Sequence, residues 1–286
     1  MIKKHITKKI IITISLLFSI LLICLVPNKS LNEIKSEFLY TEDLNMESIY
    51  LLDKNNYLGL TQLVVEEEKI EDKIKHLINS LIEDSSYITS VFRGIISSNT
   101  KINNIEIQDN IVKIDFNKYV FEYNKEKVLE ALIYTLTSLN NVDKVIISID
   151  NNIIGEYDRN YGINKEYKID NYKDVSKITV YYLNEYNNNI YYVPVTKYIN
   201  NSNDKIDIII KELKDNDNLI SHINSNVVLL DKKINNKELE LTFNEYIYDD
   251  IELKKINKET ENEINYSIKE NLDIDKIIIK TKKTIE

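Results

Sequence analysis

Few residues of this 286-residue chain have the types and spacing that catalysis or metal binding requires. The histidines are His5, His76 and His222; no pair of them has ligand spacing, and neither an HExxH motif nor a Cys–His cluster occurs. We expect His76 on the solvent-exposed face of a helix and His222 in an irregular segment. The sequence therefore predicts no metal site.

The glycines do not suggest nucleotide binding either. The four of them are too scattered to form a loop that wraps phosphates: Gly59, Gly94, Gly155 and Gly162. A Gly-x-Ser-x-Gly motif, which would present a nucleophilic serine, is also absent from the sequence. We predict no cofactor and no cofactor-binding residues.

Carboxylates are abundant, so glycoside hydrolysis by two acids about 5 to 9 Å apart remains an alternative by residue type. The chain contains an internal repeat in which Thr242 replaces Asp115. Asp143 and Asp275 recur in the repeat, but each precedes a lysine in a predicted helix-to-strand turn, where a turn role is the simpler interpretation. We predict no catalytic residues and a non-enzymatic protein.

The overall charge argues against binding to nucleic acid. Lys and Arg total 37 against 46 Asp and Glu, which gives a net charge of −9. Affinity for a phosphate backbone depends on basic residues that release counterions, so an acidic chain binds it poorly. Heavy use of Ile, Asn and Lys is typical of an AT-rich genome, and that bias also accounts for most of the 20 tyrosines.

The N-terminal segment has the pattern of a membrane anchor. Four lysines within residues 1–9 precede an uncharged apolar run at residues 10–26, which ends at Pro27. As a helix this run would be about 26 Å long, the short end of what spans a bilayer. Positive charge on its N-terminal side predicts a cytoplasmic tail at residues 1–9 and a single-pass protein of the cell membrane whose remainder is extracytoplasmic.

Two alternatives share this charge pattern. A cleaved signal peptide would have small residues near the end of the apolar run, and residues 21–26 offer none. Lipid attachment at Cys24 would follow cleavage before that cysteine, but the preceding Ile23 is bulky and branched. We favour an uncleaved anchor followed by a polar stalk at residues 27–44.

The rest of the chain repeats itself. Residues 114–121 (IDFNKYVF) return as residues 241–248 (LTFNEYIY), and residues 142–147 (VDKVII) return as residues 274–279 (IDKIII). Such self-similarity predicts two copies of one small domain. We place the first copy at residues 45–157, a linker at 158–176 and the second copy at 177–286.

The apolar spacing predicts an α+β fold with the order β-β-α-β-β-α-β in each copy. Apolar residues spaced as on one helix face mark the first helix, and Asn124 is placed to cap the second. Helices covering one side of a sheet would bury these faces. In the second copy the last helix, predicted at residues 253–272, has a thin apolar stripe, so we expect this copy to unfold first on heating.

The first copy resembles the GerMN domain, the family of sporulation and spore germination domains. The resemblance rests on residues 99–102 (NTKI), the hairpin 105–116 ending in Ile-Asp-Phe, and the helix segment 132–139 (LIYTLTSL) with its Thr-Leu-Thr. It covers roughly residues 45–157, and through the internal repeat it extends to residues 177–283. Tandem pairs are usual in the germination proteins of this family.

The resemblance implies a membrane-attached or lipid-anchored protein that acts outside the cytoplasm of spore-forming bacteria. Family members have no assigned catalytic residues, and their domains are similar to ring-building motifs. We therefore expect a scaffold whose partners are other envelope or sporulation membrane proteins, with self-association left open. A peptidoglycan-binding module, with tyrosines stacking on sugar rings, is the main alternative, and hydrolysis by paired carboxylates is a third hypothesis.

Overall fold

A computed structural model describes residues 45–88, 90–168, 175–200, 204–215, 218–250 and 254–282. Residues 45–286 form one compact unit. The predicted tail, anchor and stalk, and with them His5 and Cys24, lie outside the described residues. Within the described part of the chain, no helix has both the length and the apolar character needed to cross a bilayer.

In its described residues, the first copy contains seven strands and two helices. In chain order they are β1 (Met46–Asp53), β2 (Leu58–Val64), α1 (Ile70–Ser80), β3 (Phe92–Arg93), β4 (Ile102–Gln108), β5 (Ile111–Phe116), α2 (Lys125–Leu136), β6 (Lys144–Ile149) and β7 (Asn152–Tyr157). The strands β3 and β7 are additions that the sequence pattern did not predict. The strand β7 follows β6 and ends at Tyr157.

The second copy repeats the order without those additions. After β8 (Glu166–Lys168) it consists of β9 (Val175–Tyr186), β10 (Asn189–Asn200), α3 (Lys205–Lys214), β11 (Leu229–Asn235), β12 (Glu238–Phe243), α4 (Lys258–Asn271) and β13 (Lys276–Thr281). The helix α4 begins five residues later than predicted, because the side chain of Asn257 caps it by accepting a hydrogen bond from the backbone N–H of Thr260.

Local sequence explains where the helices form. The helix α1 buries one face, with residues three and four positions apart: Ile74, Leu77, Ile78 and, directly after the helix, Leu81. Asn124 caps α2 as predicted, since its side chain accepts a hydrogen bond from the N–H of Lys127 at 3.2 Å. The helix α2 packs against both α1 and β1.

The described strands form three sheets instead of the single sheet expected in each copy. The first copy has its own sheet in the order β4-β5-β6-β7, and the second has β11-β12-β13. A third sheet, in the order β3-β1-β2-β10-β8 with β9 paired to β10, takes its strands from both copies. The two hairpins β1–β2 and β9–β10 therefore leave their copies' own sheets and join each other.

The predicted linker is part of the folded unit. It contains a 3-10 turn at Arg159–Tyr161, and β8 pairs in parallel with β10. Between them, Ile163 and Asn164 are buried. A connection built into the shared sheet holds the two copies in one arrangement.

Each copy has its own apolar core, and both copies also bury charged side chains. Buried Lys197 on β10 forms an ion pair with Glu212 on α3 at 2.8 Å. The helix α4 buries Thr260, Glu263 and Ser267 together with two isoleucines. Because these polar residues occupy part of its buried face, the helix shows only a thin apolar stripe in the sequence.

Candidate functional site

The carboxylate of Asp115 joins neighbouring strands instead of standing free in a cleft. It accepts hydrogen bonds from the Ser148 hydroxyl at 2.6 Å and from the Asn103 amide at 2.8 Å. The backbone N–H of Asn151 also donates to it, at 2.8 Å. The hydrogen bond from Ser148 is the main cause that lowers the pKa of Asp115. Because donors occupy both of its oxygens, Asp115 is poorly placed to act as a general base.

Asp143 and Asp275 occupy equivalent turns in the two copies. The backbone N–H of Asp143 donates to the carbonyl of Asn110, and that of Asp275 donates to the carbonyl of Lys237, both at 2.8 Å. These contacts tie the turns before β6 and β13 to the turns of the neighbouring hairpins β4–β5 and β11–β12. Both residues lie in the turns where the sequence placed them.

His76 is less exposed than the predicted polar face implied. Its Nδ1 lies 2.7 Å from Oε1 of Glu67, and the ring of Tyr87 packs 4.7 Å from the imidazole. The expectation of a solvated histidine is wrong because the irregular segment after α1 folds back over this helix. The hydrogen bond from His76 lowers the pKa of Glu67. The His76 side chain therefore connects α1 to Glu67, which precedes the helix, and to Tyr87, which follows it.

His222 lies in an irregular segment, as predicted, and contacts a buried acid. Its backbone N–H donates to Oε2 of Glu263 at 3.1 Å, while its ring Nδ1 lies 3.1 Å from the amide nitrogen of Asn257. Burial raises the pKa of Glu263 to about 7. Among the described residues, however, no group of three or more His, Cys, Asp or Glu side chains is arranged to hold a metal ion.

A polar cluster lies where the two copies meet. Tyr50 on β1 and Tyr181 on β9 occupy equivalent positions, because the N–H of Tyr50 donates to the Thr135 hydroxyl of α2 and the N–H of Tyr181 to the Ser267 hydroxyl of α4. The two phenol oxygens lie 3.1 Å apart and share a hydrogen bond. Equivalent residues of the two copies therefore face each other.

Arg159, from the predicted linker, completes this cluster. Its guanidinium forms a bidentate pair with Glu270 of α4, with N–O distances of 2.8 and 2.9 Å. The same group donates to the hydroxyls of Tyr50 and Tyr181 at 3.1 and 3.3 Å, and lies 4.4 Å from the ring centre of Tyr134 on α2. Burial raises the pKa of the Tyr181 hydroxyl well above its usual range. One arginine thus contacts both copies and neutralises a carboxylate at their boundary.

Asn164 links the two hairpins of the shared sheet. The strands β2 and β10 pair at Leu60 and Tyr192. Next to that point, the amide group of Asn164 donates to the carbonyls of Leu58 and Pro194 at 2.9 and 2.8 Å, and its oxygen accepts from the N–H of Leu58 at 2.9 Å. The side chain substitutes for backbone pairing where the strands separate.

A second pair of equivalent residues also meets across the boundary. Asp53 ends β1 and is fully buried; its counterpart in the second copy, Asn184, donates to it at 2.9 Å. The Tyr191 hydroxyl and the backbone N–H groups of Asn55 and Tyr57 each donate at 2.8 Å. Four donors satisfy a carboxylate that has no basic partner among these contacts.

The junction was not predicted from the sequence. One available signal was Arg159, because arginine occurs only twice in a chain that otherwise uses lysine. Arginine suits a buried bidentate site better than lysine does. The other signal was the 131-residue separation shared by Tyr50–Tyr181 and Asp53–Asn184, which follows the period of the repeat.

Several exposed aromatic side chains lie outside the junction. Tyr167 is 67% exposed and stacks on Tyr198, with ring centres 4.8 Å apart and planes inclined by 10°. Tyr119 and Tyr246 hold the same position in the two copies, in the 3-10 turns after β5 and β12, and both are exposed. These rings could receive planar or apolar groups of a ligand.

Comparison with known proteins gives consistent matches. A family model described as "Germane: Sporulation and spore germination" matches residues 48–154. The spore germination protein GerM of Bacillus subtilis (strain 168) is 30% identical over 233 residues, which cover 73% of this chain and 63% of that protein. The chain thus spans somewhat less than two thirds of the length of this curated relative.

A solved structure also matches both copies together. It contains the tandem GerMN domains of the sporulation protein GerM from Bacillus subtilis. The TM-score is 0.74 at 28% sequence identity, and the match covers 82% of this chain and 90% of the solved one. The arrangement of two domains joined in one unit is therefore shared with a relative.

Proposed function

The chain belongs to the GerMN family of sporulation and spore germination domains, and from that premise we propose that it is a non-enzymatic, membrane-anchored component that binds other envelope proteins during sporulation or germination. The resemblance predicted from the sequence is confirmed by the family match and by the match to a tandem GerMN structure. The binding role, the anchoring and the extracytoplasmic location are parts of the proposal.

The junction is the observation that carries this proposal. Arg159, Asn164 and the shared sheet fix the orientation of two similar domains, so their outer faces hold a constant distance and angle. A fixed pair of surfaces suits a protein that holds partners in register, because a rigid binder loses less entropy when it associates. The carboxylate of Asp115, one of the acids weighed for catalysis, accepts structural hydrogen bonds from neighbouring strands instead.

The anchoring follows from residues 1–26. In this proposal, residues 10–26 span the membrane and residues 1–9 remain in the cytoplasm. A cleaved signal or a lipid at Cys24 would change the attachment but leave both domains outside. Protease added to intact protoplasts should digest the two domains, and protection of the domains would overturn the extracytoplasmic assignment.

The binding role is tested in sporulating cells. Deletion of the gene should impair spore formation or germination, and crosslinking followed by co-purification should recover specific envelope proteins with the full-length chain. Normal numbers of heat-resistant, germinable spores in the deletion strain would overturn the proposal.

A second candidate function, binding to cell-wall glycan, is favoured by the exposed aromatic side chains. Tyr167 stacked on Tyr198 offers an open ring face of the kind that packs on sugars. The full-length chain should then be retained on purified peptidoglycan, and Tyr167→Ala should reduce the retention. Absence of retention by the wild-type chain would eliminate this candidate.

A further inference from the structure

The first copy has an open groove between a helix and the edge of a sheet. The groove has a volume of about 570 Å³ and lies between α1, which contributes Ile78 and Ile82 at and beyond its end, and residues 100–105 at the start of β4. The strand β4 is at one end of its sheet: it pairs with β5, and no described strand pairs with its outer side. Its outer backbone groups are therefore open to an incoming strand.

The second copy bridges the corresponding gap with an ion pair. Lys232 on β11 lies 2.5 Å from Asp204, which caps α3, and 2.5 Å from Asp207 in the first turn of that helix. One lysine thus connects the edge strand directly to the helix. We call this contact the latch of the second copy.

The register identifies the residues that replace the latch in the first copy. Lys232 pairs with Leu241 as Ile105 pairs with Ile114, and both strands have a bulge at the same place. The buried faces of the helices align in the same way, which places Asp72 opposite Asp204 and Lys75 opposite Asp207. The first copy therefore has an isoleucine and a lysine where two members of the latch would be.

These replacements leave the groove open and change its charge. Lys75 makes its ion pair with Asp72 on its own helix at 3.5 Å, and both side chains are about half exposed. Lys75 and Lys101 both line the groove, against one acid, Glu71. Since Asp72 already pairs with Lys75, Lys101 is the lining lysine that has no ion-pair partner among the described residues, and it is open to an acidic group on a chain whose net charge is −9.

A buried polar atom also faces this region. The side-chain hydroxyl of Thr100, a lining residue only 8% exposed, has no hydrogen-bond partner among the described residues. An unpaired buried hydroxyl costs free energy that an incoming polar group would recover. The groove therefore combines an open strand edge, apolar walls, basic residues and an unsatisfied hydroxyl.

We propose that this groove binds an extended acidic segment of a partner protein, which adds as a strand to the outer edge of β4. Backbone hydrogen bonds to β4 supply affinity in this mode of recognition, and side-chain pockets supply selectivity. An apolar side chain of the segment packs between Ile82 and Ile102, and a carboxylate lies near Lys75 and Lys101. The inference rests on the proposed protein-binding function and assigns it to one copy.

The test introduces the latch of the second copy into the first copy by substitution. Ile105→Lys combined with Lys75→Asp recreates the lysine and the second aspartate of the second copy, with Asp72 already present. The control is Ile153→Lys with Lys113→Asp, which makes the same changes in composition at exposed positions, one of them on the opposite edge strand β7. A second variant, Asn79→Trp, fills the groove from an exposed lining position of α1.

The probe is a phage-displayed library of random twelve-residue peptides, selected on the immobilised full-length chain. We expect acidic peptides with alternating apolar residues, bound at least tenfold more weakly by the latch variant and by Asn79→Trp, and equally by the control. Bound peptide should also slow hydrogen exchange of the backbone amides of Ile102–Gln108. No enriched peptide, or peptides that bind the latch variant as well as the wild type, would overturn the proposal.

Two further measurements distinguish this proposal from two alternatives, which are self-association of the chain and binding of envelope proteins at another surface. If the latch variant changes the sedimentation of the chain alone, the groove is occupied by a second copy of the chain, and the proposal of a different partner fails. If envelope proteins still co-purify with the latch variant from sporulating cells, the groove assignment fails while the proposed binding function stands. Circular dichroism and thermal unfolding confirm that each variant is folded.

Discussion

The phenol oxygens of Tyr50 and Tyr181 lie 3.1 Å apart, although the residues are separated by 131 positions in the chain. They are equivalent residues of a duplicated domain, so the duplication has brought a position into contact with its own copy. Arg159 and Glu270 break that symmetry, because Arg159 donates to both tyrosines whereas Glu270 accepts a hydrogen bond from Tyr181. The junction is therefore specific to the tandem arrangement and could not form in an isolated domain.

Replacing Arg159 should uncouple the two copies. Arg159→Met leaves Glu270 buried without its cation, and breaking such a pair costs about 3 kcal/mol. We expect the wild-type chain to unfold in one calorimetric transition and the variant in two. The second copy should unfold first, because Thr260, Glu263 and Ser267 interrupt the apolar face of α4. This revises the expectation from sequence, which treated the copies as independent.

The control for this experiment is the other arginine of the chain. Arg93 is exposed and hydrogen-bonds the side chain of Asn56. Arg93→Met should change stability by no more than about 0.5 kcal/mol and preserve a single transition. A single transition at an unchanged temperature in Arg159→Met would show that the shared sheet alone couples the copies.

Removing the Asn164 side chain should weaken the pairing between β2 and β10. In Asn164→Ala, the carbonyls of Leu58 and Pro194 lose their donor, and each unpaired buried group costs about 1 to 3 kcal/mol. Urea denaturation should show the loss, and the backbone amide of Leu58 should exchange faster. Unchanged protection of this amide would contradict the assigned role.

Asn187 provides a matched control for this substitution. Both asparagines have a left-handed backbone, with φ of 45° at Asn164 and 49° at Asn187, but Asn187 is exposed in the β9–β10 turn. Asn187→Ala therefore carries the strain of alanine at positive φ without removing a buried hydrogen bond. The difference between the two variants isolates the contribution of the side-chain contacts.

The sequence predicted the local elements better than their assembly. Apolar spacing placed both helices of the first copy, and the repeat of VDKVII as IDKIII placed β13 within its observed bounds of Lys276–Thr281. These features depend on neighbouring residues, which a single sequence shows directly. The division of strands among three sheets depends on long-range pairing such as Leu60 with Tyr192, and the local pattern of β2 or β10 does not specify it.

The same limit applies to the junction and the groove. The polar linker 158–176 was predicted from its composition, which resembles that of an exposed connection. Asn164 becomes buried and Arg159 partly buried because partners from both copies surround them. The groove is open because Ile105 and Lys75 cannot form the ion pairs that Lys232 forms in the second copy. This difference becomes apparent only when the structures of the two copies are compared.

Replacing Glu263 should change how stability depends on pH. The folded protein holds this carboxyl at a pKa of about 7 against an ordinary value of 4.5, because burial penalises the charged form. Because the pKa of Glu263 is higher in the folded state than in the unfolded state, its contribution to the free energy of unfolding is fully present below about pH 4.5. That contribution is lost as the pH rises to about 7. The difference of about 2.5 pH units corresponds to a loss of about 3 kcal/mol above pH 7.

Glu263→Gln removes the ionisation and keeps the shape of the side chain. The variant should be more stable than the wild type at pH 8, by up to about 3 kcal/mol, and the advantage should shrink towards pH 5. Urea unfolding at a series of pH values measures it. Glu261→Gln is the control, since Glu261 is exposed on the same helix and should show no such trend. Parallel pH profiles for wild type and Glu263→Gln would show that Glu263 is already ionised at little cost in the folded protein.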